Sequence, residues 1–157
     1  MPTFQEFKEA KPMKDQQVND ILHYVNVLCE ALQQDKKRYI INIHALAKDD
    51  ANYHARKIQE IQRNGITGGF EVETGRKYHK VWMFDDNGSA RPSRSIHAFI
   101  DKNTGDVYKP ASIKAPAKGV RFNLLDESSR EDMLERADWA GGYLYRQTPH
   151  RVAHRRL

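Results

Sequence analysis

Four cations crowd one short stretch of this chain. Lys109, Lys114, Lys118 and Arg121 fall within KPASIKAPAKGVR, and no acidic residue occurs from Val107 through Leu125. Pro110 and Pro116 hold the backbone out of helix and central sheet. The segment therefore reads as a loop that exposes amides as well as ammonium groups. Phosphate recognition needs that combination of cations, arginine forks and backbone donors. Arg91 and Arg94 lie in an earlier loop and Arg76–Lys77 at a hairpin, while Arg146, Arg151, Arg155 and Arg156, with His150 and His154, load the C-terminal tail. Tyr78, Trp82, Phe99 and Tyr108 can stack on bases if the outer face of a sheet is open. The competing reading makes these aromatics core and the lysines a solubilising rim, because apolar sheet residues are usually buried.

Histidine is the second chemistry on offer. His44, His54, His79 and His97 can converge only through the fold, and Asp101 alternates onto the same strand face as His97. A carboxylate so placed can orient a general base. No HExxH or similar ligand spacing is present, so no metal site is expected. A nuclease centre would draw on Glu71, Glu73 and Asp85, but the acid-x-lysine pair of such sites is missing, with Asp106 and Lys109 three apart. Phosphate-loop, dinucleotide and nucleophile-elbow motifs are absent as well. Binding ranks above catalysis, and no catalytic residue or cofactor is assigned.

The elements that must position these residues follow from periodicity. Met1 to Lys14 reads as an arm carrying Phe4 and Phe7 and interrupted by Pro12. Asp15 is a suitable N-cap, and Val18, Ile21, Leu22, Val25, Leu28, Cys29 and Leu32 recur at helical steps on one face. The β-branched run after Tyr39 fits strand or helix; helix is expected from about Lys36, broken at Asp49–Asp50 and stopped by Asn64-Gly65. Alternation then predicts strands around Phe70 and Val72, from Tyr78 to Phe84, from Arg94 to Asp101, and from Asp106 to Lys109. Ser128 or Ser129 can cap a short helix whose inner face is Met133, Leu134 and Ala137, with Gly141-Gly142 as its end. The expected fold is α+β: a four-stranded antiparallel meander covered on one face by N-terminal helices, followed by a short helix and a basic tail. Residues 1–14 would be the arm, 15–145 the single domain and 146–157 the tail.

A chain of 157 residues is one domain on length, and Trp82, Phe84, Phe99, Trp139 and the first helix supply its core. The net charge of +5 favours anionic partners, whether nucleic acid, nucleotide or acidic protein. Cys29 is the single cysteine, which excludes an internal disulfide, and its place on the helix stripe predicts a buried, inert thiol. No apolar run is long enough to span a bilayer, and the N-terminus lacks the apolar core of a signal peptide, so a reducing cytoplasm is the expected compartment.

The runs IHAFIDKNTGDVYKPAS, from Ile96, and APAKGVRFNLLD, from Ala115, resemble a family of small, mostly uncharacterised proteins encoded by tailed bacteriophages. The resemblance covers Lys80 to Asp126 and does not reach the N-terminal helices. It implies a viral source, with the protein in the host cytoplasm or associated with the virion, and it points to the basic loop as the working part. The resulting expectation is a non-enzymatic accessory protein that binds nucleic acid or a phosphate-bearing nucleotide. The alternative is a virion-associated or host-protein-binding protein whose arm and tail pack on neighbouring subunits.

Overall fold

The computed structural model describes residues 3–86 and 93–145. Its first element, α1 (Phe4–Leu46), is one uninterrupted helix about 65 Å long at 1.5 Å per residue. Thr3 starts it: its hydroxyl accepts from the Glu6 amide at 3.1 Å, and the Glu6 carboxylate accepts from the Thr3 amide at 3.2 Å. This capping box satisfies two otherwise orphaned donors. The expected arm of residues 1–14 is therefore, from Thr3 on, the opening of α1, and Asp15 caps nothing. Pro12 is tolerated on a turn exposed to solvent. The second expected helix is likewise no separate element before residue 47. No glycine or proline occurs between Pro12 and Gly65, so nothing stops the helix at residue 36.

The break does fall at Asp49–Asp50. Asp50 takes a left-handed conformation (φ 30°) and its carboxylate accepts from the Tyr53 amide at 3.1 Å, capping α2 (Ala51–Asn64). Gly65, at φ 80°, closes α2 with its amide on the Ile61 carbonyl. No residue of α2 is fully buried.

The sheet has five antiparallel strands in sequence order: β1 (Gly69–Thr74), β2 (Tyr78–Asp85), β3 (Ser93–Asp101), β4 (Asp106–Tyr108) and β5 (Phe122–Asn123). The fifth strand escapes the alternation argument because it is only two residues long. Ile21, Val25, Leu28, Cys29 and Leu32 of α1 pack on Val81, Ala98, Ile100 and Val107, with Phe122, Leu124, Met133, Tyr143 and Leu144 completing one core. Burying a Leu, Ile or Val side chain contributes about 1.5–3 kcal/mol, so this seam holds α1 to the sheet.

α3 (Glu127–Arg136) is capped by Asp126, whose side chain accepts from the Ser128 amide; neither serine is the cap. Ser129 instead accepts from the Asn123 amide, tying the helix to β5. Met133 faces inward with Leu134 and Ala137 against the core, as its spacing predicts. The helix ends at Arg136, well before the glycine pair, and Gly142–Leu144 forms a separate 3-10 turn.

Candidate anion-binding cleft

A β-bulge decides which way His97 faces. Register shifts between Val81 and Trp82, so Val81 pairs with Ala98 while Trp82 pairs with Ile96. The extra residue, His97, leaves the alternation that would put it beside Phe99 and Asp101 and joins Phe70 and Tyr143. The expected His97–Asp101 pair does not form. Asp101 instead accepts from the Asn103 and Thr104 amides and shapes the β3–β4 turn.

The histidines do not converge. His44 and His54 meet at the α1–α2 junction, Nδ1 to Nδ1 at 2.8 Å, with His54 Nε2 on Asp49 at 2.9 Å. His79 lies buried against the Thr74 hydroxyl. Burial, and secondarily Lys102, lowers its pKa. Among the described residues no group of three or more His, Cys, Asp or Glu side chains can hold a metal ion. The acids weighed for a nuclease are engaged elsewhere: Glu71 and Glu73 pair with Arg94, Asp85 with Lys36, and Asp106 accepts from the Asn123 amide group.

The six cations expected to bind phosphate divide in the same way. Arg94 stacks its guanidinium 3.8 Å from the Trp82 ring centroid and reaches Glu71 and Glu73 at 3.6 and 3.9 Å. Arg121 is half-buried and donates to the carbonyls of Leu144, Lys118 and Gly119 at 2.7, 3.0 and 2.6 Å. It clamps the loop to the C-terminal turn. Lys114 and Lys118 are exposed, and among the described residues neither pairs with a carboxylate. Lys109 is half-buried, its ammonium 4.9 Å from the Tyr145 ring centroid. Arg91 and the tail from Arg146 onward lie outside the described residues. The stacking platform is largely closed as well. Phe99 is fully buried and Trp82 nearly so. Lys80 covers the Phe99 ring while donating to the Ile113 carbonyl of the basic loop at 2.7 Å.

What the fold does assemble around Lys109 is a cleft of about 340 Å³ between the far ends of β2 and β3 and the segment 139–145. Met83, Ser95 and His97 line one side, Trp139, Gly141 and Tyr145 the other, and Lys109–Pro110 a third. Its volume sits at the small end of the range for ligand sites. Trp139, expected in the core, is a half-buried wall of this cleft. Three contacts with α1 hold it there: its amide donates to Asp35 at 2.9 Å, Tyr39 tilts against its ring at 4.9 Å, and Lys36 lies over it. Asp138 accepts from the Gly142 and Tyr143 amides and shapes the turn. Gly141 takes φ 87°, a conformation that glycine adopts without strain. The aromatic-flanked glycine pair in WAGGYLY is the sequence signal that could have located this wall.

His97, on the cleft wall, has its Nε2 2.8 Å from the hydroxyl of the buried Tyr143. Burial pushes the His97 pKa down to about 4, against a smaller opposing effect of Asp138. Burial raises the Tyr143 phenol well above its ordinary value. Both groups are therefore neutral near pH 7. The cleft thus combines one cation, two aromatic rings and uncharged polar groups, an arrangement suited to holding a planar ligand with an anionic substituent.

Fold and cleft together define a small α+β protein with a polar-aromatic cleft at the far ends of β2 and β3. The chain belongs to a family of unknown function, DUF7717, whose model matches residues 4–146. No curated protein and no solved structure matches it.

Proposed function

We propose that this protein is a non-enzymatic binding module for nucleic acid or a phosphate-bearing nucleotide, serving a bacteriophage as an accessory factor. The observation that carries the reading is the placement of Lys109 beside Tyr145 at a cleft walled by Trp139. A phosphate at the ammonium leaves an attached base within the aromatic walls, and stacking contributes about 1–3 kcal/mol per base. Lys114 and Lys118, exposed on the loop that leaves the cleft at Pro110, extend the positive surface along a strand. Arg121 supports this surface by fixing the loop, and Arg94 supports the sheet. The viral setting comes from the resemblance of the strand-and-loop segment to phage proteins.

The test is affinity for a short single-stranded oligonucleotide as a function of salt. The logarithm of the binding constant should fall linearly with the logarithm of salt, and replacing Lys109, Lys114 and Lys118 together by alanine should reduce that slope by about two, at ~0.7 per phosphate contact. A flat salt dependence, or no retention at low salt, removes the reading.

One observation favours the second reading, a virion-associated or host-protein-binding role. Phe4 and Phe7 are 79% and 55% exposed on the opening turns of α1. Sedimentation of the full chain against a variant beginning after residue 14 tests for subunit contacts through these turns: equal masses would remove self-association.

A further inference from the structure

The hydrogen bond between His97 and Tyr143 fixes where the proton sits on the imidazole. A buried phenol keeps its proton and must donate it, since an unmade bond there costs about 1–3 kcal/mol. Among the described residues the acceptor within reach of the Tyr143 hydroxyl is His97 Nε2, at 2.8 Å. The phenol stays protonated because burial opposes its ionisation. Nε2 is thus the accepting nitrogen, and a neutral ring must carry its one proton on Nδ1. His97 lines the cleft, and this edge of its ring faces Gly141. A Cβ built on Gly141, which lines the cleft too, would lie 3.6 Å from Cε1 and 3.9 Å from Nδ1. Glycine at this position spares that edge the contact a Cβ would make.

We propose that His97 presents Nδ1–H to the cleft as an uncharged hydrogen-bond donor that reads an acceptor atom of the bound ligand. The acceptor is a carbonyl oxygen or ring nitrogen of a base, or a phosphate oxygen. This extends the binding function proposed above and rests on it for the identity of the ligand. Lys109 then supplies charge and His97 supplies selection, because a site built to donate rejects a ligand with no acceptor there. A neutral donor also keeps its role across the pH range in which an ordinary histidine changes charge.

Nitrogen-15 spectra of the histidine rings in the full-length protein decide the proton's position without any ligand. The expected state is Nδ1 protonated and Nε2 bare from about pH 8 to about pH 5.5. A proton on Nε2, or a doubly protonated ring in that range, overturns the proposal. Binding of the same short oligonucleotide tests the recognition step. His97→Phe should weaken it by about tenfold, the value of one hydrogen bond, and His97→Asn, whose amide nitrogen can stand near Nδ1, should recover part of the loss. Unchanged affinity in His97→Phe overturns the assignment while leaving the binding reading intact. So does an affinity that rises on acidification only when His97 is present. If no form binds, the binding reading falls and takes the recognition role with it, whereas the spectra alone still settle the proton.

Discussion

Two residues, one buried and one half-buried, carry measurable consequences at the scale of single side chains. The His97 ring takes its proton near pH 6.5 when unfolded but only near pH 4 when folded. Its contribution to stability is therefore complete above pH 6.5 and is lost as pH falls from there to about 4. The loss is about 3 kcal/mol. His79 acts in the same direction. Urea denaturation between neutral and acidic pH checks this, and His97→Phe should flatten most of the slope. The second residue is Arg121. Replacing it by alanine removes its bonds to three main-chain carbonyls and should destabilise the fold by about 2–3 kcal/mol. Arg121→Lys keeps the charge yet cannot span those carbonyls, so an equal loss of stability in both variants marks a structural role. Sequence showed that Arg121 was cationic and near the loop. It could not show that carbonyls of its own backbone occupy the guanidinium. Lys109 stood out in the sequence as a cation in a stretch without acids, but its place on a cleft wall did not. Nor did Trp139 and Tyr145, since their value comes from a turn that folds back on residues more than 40 positions earlier in the chain.

The elements explain what periodicity can and cannot reveal. The α1 stripe was plain because three- and four-residue steps repeat over several turns and face a sheet. The helix's length was not, because its outer turns meet solvent and leave no burial pattern. Removing residues 3–13 should consequently alter stability by no more than about 0.5 kcal/mol, measured by thermal unfolding. The cap of α3 is a sharper case. Asp126→Ala should cost about 1 kcal/mol, whereas Ser128→Ala should be near neutral, because Asp126 accepts the Ser128 amide. The meander was legible in its first four strands. The bulge opposite Trp82 was invisible in the sequence, since one residue beyond strict alternation leaves composition unchanged while turning His97 toward Tyr143. From that displaced position His97 contributes to the cleft wall.

For the whole molecule, α1 is the member on which everything else is hung. It carries the sheet through its middle, α2 at its C-terminal end, and the Trp139 wall through Asp35, Lys36 and Tyr39. Charge is distributed differently: neutralised pairs sit on the sheet and helices, while Lys114 and Lys118 stand on the loop. The net charge of +5 therefore understates the local positive field at the loop.

The lone thiol on the inner side of that helix gives the protein a built-in reporter. Cys29 is 9% exposed, and burial, assisted by Glu30, raises its pKa to about 11. The thiolate is the form that attacks alkylating reagents, so burial and the raised pKa slow modification of the folded protein. The rate at which a maleimide consumes this sulfur at neutral pH should rise in variants that loosen the seam between α1 and the sheet, with no engineered probe required.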